Sequence, residues 1–147
     1  MPNGYDKLFS EIRYVYQFLD YCEALLGAQE KMFRHLGALH QKSALRPRLL
    51  TVLDETEVIS RYVEEKVYPH IKHGILEHNE TMGGVFSVNL PEAMKNAGYP
   101  EAAINDQVKK SLERTRIDLL PMEKRFGSII DAISSLKEHI RNYDDES

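Results

Sequence analysis

Apolar side chains recur every three or four residues along most of this chain, and that period is typical of amphipathic α-helices. The first stripe predicts one helix from about Asp6 to about Lys42. Apolar residues also flank the stripe, so we expect this helix to pack against two neighbours. The stripe consists of Tyr5, Leu8, Ile12, Val15, Leu19, Cys22, Leu26, Gln29, Phe33, Leu36 and His40.

A second stripe predicts a helix that opens near Pro47 and ends near Asn79. Proline disfavours helical geometry in the residue before it, which places the start of this helix at Pro47. Pro69 lies inside the same pattern, and a proline there kinks a helix or ends it. The stripe consists of Leu49, Val52, Thr56, Ile59, Val63, Val67, Ile71 and Ile75.

The segment from residue 80 to residue 100 lacks a clear helical period. We expect a loop at Met82–Tyr99 that contains a short extended piece at Val85–Val88 and a short helix at Pro91–Gly98. Proline suits the first position of a helix and glycine the position after its end. Because long ordered loops in compact domains are often functional, this one is a candidate contact region.

A third stripe predicts a last long helix that opens at Pro100-Glu101, with Pro121 as a second point of kinking or breakage. Its members are Asn105, Val108, Leu112, Thr115, Leu119, Met122, Phe126, Ile129, Ile133, Leu136 and Ile140. The predicted fold is therefore all-α: an antiparallel bundle of three long helices, with a loop and a short helix before the last one. Residues 1–147 should form one domain, with a frayed acidic tail at 142–147.

Composition narrows the classes of function only modestly. The formal net charge is −4, whereas nucleic-acid binding usually needs a basic face, so we do not expect a nucleic-acid partner. The single cysteine excludes an internal disulfide and favours a reducing, cytoplasmic setting. We see neither a signal peptide nor an apolar run long enough for a membrane span, and we expect no membrane partner.

Aromatic residues on the first helix predict self-association. Such residues are enriched at protein interfaces, and the apolar positions of this helix cover more than one face. The candidate interface residues are Tyr14, Phe18, Tyr21 and Leu25.

The histidines are the candidate metal ligands. His70, His73 and Glu77 are spaced three and then four residues apart, so they share one helix face. A second set, made of His35, His40 and His139, would meet at one end of the bundle if the first and last helices run parallel. Metal sites in bundles often use Glu-x-x-His pairs, which this chain lacks.

No set of residues in the sequence meets the demands of catalysis, and we assign no catalytic residue. The expected function is that of a non-enzymatic regulatory, adaptor or scaffold protein without a cofactor. It would act through helix-face contacts with a protein partner and through homo-oligomerisation. Two alternatives stay open: a bundle that binds a transition metal through the histidine sets, and a small-molecule sensor whose apolar pocket opens at Pro69 and Pro121.

Overall fold

The computed structural model describes residues 4–36 and 42–142, and in these ranges the chain is all-α, as predicted. No β-strand occurs in either range. Within them, six α-helices follow one another: α1 (Gly4–Leu36), α2 (Lys42–Tyr62), α3 (Tyr68–Gly84), α4 (Leu90–Asn96), α5 (Glu101–Thr115) and α6 (Leu120–Asn142). Two π-helical segments of this described chain, π1 (Val63–Val67) and π2 (Val85–Asn89), connect α2 to α3 and α3 to α4.

The prediction of a loop at Met82–Tyr99 is wrong, because the chain stays helical up to Asn96. The extended piece predicted at Val85–Val88 is part of π2. Only the end of the region behaves as expected: the short helix α4 stops before Gly98, and α5 opens directly after Pro100. Gly98 has a φ of 89°, and the Tyr99 N–H donates to the Met94 carbonyl at 3.1 Å, which closes the helix end.

Each π segment ends two residues before a proline, and this explains why those prolines do not end the helix. The Tyr68 N–H donates to the Val63 carbonyl ahead of Pro69, and the Leu90 N–H donates to the Val85 carbonyl ahead of Pro91. In a regular α-helix the proline ring would clash with the carbonyl four residues earlier. We attribute the uninterrupted helix to the extra residue in each π turn, which relieves that clash.

Two helix boundaries differ from the sequence prediction. The second helix begins at Lys42 rather than at Pro47, which lies inside α2. Pro47 is the sixth residue of α2 and lies past the first turn, so its missing N–H removes one intrahelical hydrogen bond. The predicted last long helix is divided into α5 and α6, with Pro121 in the first turn of α6.

The chain divides into two compact units. The α1–α2–α6 unit contains Ser10–Pro69 and Leu120–Ser147, and the α3–α5 unit contains Met1–Phe9 and His70–Leu119. A single domain and one antiparallel bundle of the whole chain therefore stay predictions.

In the α1–α2–α6 unit, α2 runs antiparallel to α6, while α1 runs parallel to α6. Lys137 contacts Asp54 at one end of the α2–α6 pair, and Tyr68, just beyond π1, contacts Glu123 at the other. Arg125 contacts Asp20 of α1, and His139, further along α6, contacts Phe33, further along α1. The core between the helices is formed mainly by Leu19, Leu53, Phe126, Ile129 and Ile133.

In the α3–α5 unit, α5 folds back along α4 and π2 after the turn at Gly98 and reaches α3 at its far end. His78 and Asn79 of α3 contact Thr115 and Ile117 at the far end of α5. Leu8 from the start of α1 packs close to Gly74, where an added Cβ would lie 2.9 Å from the Leu8 Cδ1 atom. Gly74 thus allows the first turns of α1 to approach α3.

None of the helices in the described ranges combines the length and the apolar character that crossing a membrane requires.

Candidate functional sites

The first histidine set lies on an exposed face of α3. His70, His73 and Glu77 are all exposed, and the His73 Nε2 atom is 3.1 Å from a carboxylate oxygen of Glu77. The helical spacing therefore brings two of the three candidate ligands into contact. A protonated His73 forms an ion pair there that water screens strongly.

The second histidine set is only partly described. The ring of His139 on α6 meets the ring of Phe33 edge-on, with centroids 5.7 Å apart. His35 is exposed, and its Nδ1 atom is 2.7 Å from the Lys31 carbonyl oxygen one turn earlier on α1. His40 lies outside the described residues.

No group of three or more His, Cys, Asp or Glu side chains gathers in a metal-binding arrangement within the described part of the chain. Metal binding by either histidine set stays a prediction.

The candidate interface residues form a stripe along the outside of α1. Tyr14 is 61% exposed, Tyr21 is 73% exposed and Leu25 is 41% exposed, while Phe18 between them is half-buried. Met32 continues the stripe and is also exposed. Each member of the stripe directly precedes a buried residue of α1, so the stripe has the same helical spacing as the core positions.

The stripe lies on the flank of α1 that points away from α6. Successive helix residues are about 100° apart, so positions before and after a buried residue fall on opposite sides of it. Asp20 and Glu23 on one flank hold Arg125 of α6, with N–O distances of 2.7 and 3.0 Å. Tyr14 and Tyr21 lie on the other flank.

A matching stripe lies on α2. Asp54 and Glu57 on one flank of α2 contact Lys137 of α6. The exposed side chains Val52 and Ile59 lie on the other flank, and Tyr62 follows one turn later. We call the two stripes together the α1–α2 apolar face: Tyr14, Phe18, Tyr21, Leu25, Met32, Val52, Ile59 and Tyr62.

The two stripes border each other, because α1 and α2 are in direct contact between them. The Cys22 sulfur lies 3.7 Å from the Ser60 hydroxyl oxygen. Both residues are buried, and each belongs to the core side of its helix. This Cys–Ser contact also shows which residues of the two antiparallel helices lie at the same level.

The α1–α2 apolar face is nearly symmetric about the level of the Cys–Ser contact. On α1, Phe18 and Leu25 lie about one turn before and one turn after this level. On α2, Ile59 and Tyr62 lie directly before and directly after it. A twofold rotation about an axis at this level exchanges the two ends of the face. It therefore places apolar side chains opposite apolar side chains.

Two exposed charged residues border the α2 stripe on either side of the same level. Glu55 lies one turn before Ile59, and Lys66 in π1 lies one turn after Tyr62. Glu55 and Lys66 are about three helical turns apart, so their side chains lie on the same side of the helix. The border thus has an acidic group before the level of the Cys–Ser contact and a basic group after it.

The interior of the α1–α2–α6 unit contains titratable groups that are held in inert forms. Burial raises the pKa of the Cys22 thiol, which lies beside the Ser60 hydroxyl. Burial also raises the pKa of Tyr68, whose hydroxyl donates a 2.8 Å hydrogen bond to Glu123. A raised pKa keeps the cysteine in its thiol form, so these contacts favour a structural role for Cys22 over a nucleophilic one.

The α3–α5 unit contains a cavity of about 360 Å³ that sequence reasoning missed. It lies among the start of α1, the second half of α3 and the end of α5. Its lining residues are Phe9, His78, Met82, Arg114, Thr115, Arg116 and Ile117. Its volume falls in the range of roughly 300 to 1,000 Å³ that is usual for small-molecule sites.

His78 and Asn79 fix the wall of this cavity. The His78 Nε2 atom is 3.0 Å from the Thr115 carbonyl oxygen, which can only accept, so this nitrogen carries the proton. Asn79 donates to the Ile117 carbonyl and accepts from the Ile117 N–H, both at 2.9 Å. These hydrogen bonds provide partners for backbone groups at the end of α5 that have no partner within the helix.

Comparisons with protein-family models, with curated proteins and with solved structures find no significant match to this chain.

Proposed function

We propose that this protein is a non-enzymatic regulatory, adaptor or scaffold protein that acts through helix-face contacts, and that a second copy of the chain occupies the α1–α2 apolar face. The observation that supports the proposal is the exposure of large apolar side chains in two adjoining stripes, with Tyr21 73% exposed and Ile59 54% exposed. Single exposed apolar residues are ordinary on protein surfaces, but contiguous apolar patches mark interaction sites.

The composition of the face supports a protein occupant. Three of its members are tyrosines, Tyr14, Tyr21 and Tyr62, and tyrosine is enriched at protein interfaces because it combines a large apolar ring with a polar end. The face also follows the three- and four-residue spacing with which helices pack against each other. A helix pair from another protein molecule therefore fits the spacing of the two stripes.

The near-symmetry of the α1–α2 apolar face favours a second copy of this chain as the protein that covers it. A twofold axis that crosses both helices at the level of the Cys–Ser contact makes each helix antiparallel to its counterpart. Phe18 then meets Leu25 of the second copy, and Ile59 meets Tyr62 of the second copy. Each of these contacts forms twice, as a symmetric interface requires.

The bordering charges fit the same arrangement. Glu55 of one copy faces Lys66 of the other, and the reverse pair forms on the other side of the axis. Complementary charges at the border of an interface select the partner and the register more than they add to affinity. The charges therefore support a self-complementary face rather than a general apolar surface.

Self-association is tested by placing one charge on each stripe. We expect the Tyr21→Glu and Ile59→Glu variants to have a dimer dissociation constant at least roughly tenfold higher than the wild type, because each buries a carboxylate in an apolar contact. Sedimentation over a range of protein concentrations measures the constant. Both positions are exposed in one copy, so circular dichroism should show unchanged helix content.

Val88→Glu is the matched control, because Val88 is a comparable exposed residue outside the face, 62% exposed in π2. It should associate like the wild type. A wild type that stays monomeric at all concentrations, or a Val88→Glu variant that dissociates as much as the other two, would contradict the proposal.

A further inference from the structure

We infer that the cavity of the α3–α5 unit is a binding site for a small amphipathic anion, a molecule with one carboxylate or phosphate head group on an apolar body. The inference does not depend on self-association, because every described lining residue belongs to the α3–α5 unit and none of them belongs to the α1–α2 apolar face.

The positive charge at the cavity comes from two arginines. Arg114 in the last turn of α5 and Arg116 just beyond it both line the cavity, and both are exposed. None of the described lining residues carries a negative charge. Neither guanidinium forms an ion pair or a hydrogen bond with another side chain among the described residues. Guanidinium groups bind carboxylates and phosphates through paired N–H donors, so an anionic head group matches this side of the cavity.

The remaining wall is mainly apolar. Phe9, Met82 and Ile117 contribute hydrocarbon and aromatic surface, and the ring of Phe9 meets the ring of His78 edge-on with centroids 5.6 Å apart. A hydrophilic anion such as inorganic phosphate would leave this surface without a partner. An apolar body attached to the head group would cover it, and the cavity is large enough for such a body.

The cavity is held in shape before a ligand arrives. Asn79 fixes both backbone groups of Ile117, and His78 fixes the Thr115 carbonyl. The Thr115 hydroxyl donates to the Ser111 carbonyl at 2.7 Å. A wall fixed by hydrogen bonds loses little conformational entropy on binding, which is the condition for affinity in a small site.

The experiment compares four probes by isothermal titration, each well below its micelle concentration. Decanoate and decyl phosphate carry both required parts, acetate carries the head group alone, and decyltrimethylammonium carries the same chain with a positive head. We expect saturable binding of one or both of the first two probes with one molecule per chain, and none of the last two. Binding of decanoate alone or of decyl phosphate alone identifies the head group.

The arginine variants locate the site. Arg114→Gln and Arg116→Gln should each weaken the binding of the anionic probe by roughly tenfold, because each removes charge-assisted hydrogen bonds. Lys109→Gln is the matched control, since Lys109 is an exposed cation on α5 that does not line the cavity, and it should change binding by less than about twofold.

Three results would overturn the inference. Equal binding of decyltrimethylammonium would show an apolar groove without charge selection. Binding that both arginine variants retain would place the probe elsewhere on the protein. Absence of binding by both decanoate and decyl phosphate would remove the site.

Discussion

At the scale of single residues, Gln29 departs most clearly from its surroundings. It occupies a core position of α1 and is only 3% exposed. Neither its amide nitrogen nor its amide oxygen has a hydrogen-bond partner among the residues that the structure describes. A buried polar group without a partner loses its hydration without compensation, so Gln29 should reduce the stability of the fold.

Replacing Gln29 by methionine tests this cost. Methionine keeps nearly the same length and shape but lacks the amide, so Gln29→Met should raise the free energy of unfolding by about 1 to 2 kcal/mol. Urea unfolding measures the change. Gln17→Met on the exposed side of α1 is the control and should stay within about 0.5 kcal/mol of the wild type. A Gln29→Met variant that is less stable than the wild type would contradict this prediction.

At the scale of secondary-structure elements, Lys137 connects α6 to α2. The side chain of Lys137 is 10% exposed, and its ammonium nitrogen contacts Asp54 at 2.5 Å and Glu57 at 3.5 Å. The ammonium group of Lys137 donates a hydrogen bond to Asp54 and lowers the pKa of that carboxyl below its ordinary value of 3.8. The contact is therefore a charged link between two helices that otherwise pack through apolar side chains.

The lowered pKa of Asp54 predicts how this link depends on pH. A carboxyl whose pKa is lower in the folded than in the unfolded chain adds stability that is complete above its ordinary value of 3.8 and is lost as the pH falls through the folded value. The wild type should therefore be more stable than Asp54→Asn at pH 6, and the difference should shrink as the pH falls below about 4. Urea unfolding at a series of pH values measures it.

Asp131→Asn is the control for this prediction, because Asp131 is an exposed carboxylate of α6. Its effect should be small over the same pH range. A difference between wild type and Asp54→Asn that is constant from pH 6 to pH 3 would show that the link to Lys137 does not contribute through charge.

At the scale of the whole molecule, binding of a second copy predicts a charge-exchange result that binding of a different protein does not predict. In the proposed arrangement Glu55 of one copy faces Lys66 of the other. The single variant Glu55→Lys should weaken the dimer by a few-fold, since exposed ion pairs contribute roughly 0.2 to 1 kcal/mol each and the contact occurs twice.

The double variant Glu55→Lys with Lys66→Glu should restore the wild-type dissociation constant, because both copies carry the exchange and the opposite charges face each other again. Sedimentation measures all three proteins. Failure of the second change to restore association would argue against Glu55 facing Lys66 of a second copy, and an association that neither change affects would argue against the twofold register.

The sequence by itself determined the structural features that depend on residues close together along the chain. The period of apolar positions correctly predicted an all-α chain and the inward stripes of α1 and α6, because a helix repeats its faces within two turns. It also correctly predicted a short helix that stops before Gly98, whose positive φ favours glycine. The contact between His73 and Glu77 followed from their spacing alone.

Tertiary structure decided the rest, because those features depend on residues that are distant in sequence or on backbone geometry that composition does not encode. The sequence predicts a kink or a break at Pro69 and the start of a separate short helix at Pro91, but the π turns before these prolines keep the chain helical. The division between α5 and α6 is fixed by Asn79, whose partner Ile117 lies 38 positions away. The cavity exists only where α1, α3 and α5 meet, so no local pattern could have placed its arginines beside an aromatic ring from the start of the chain.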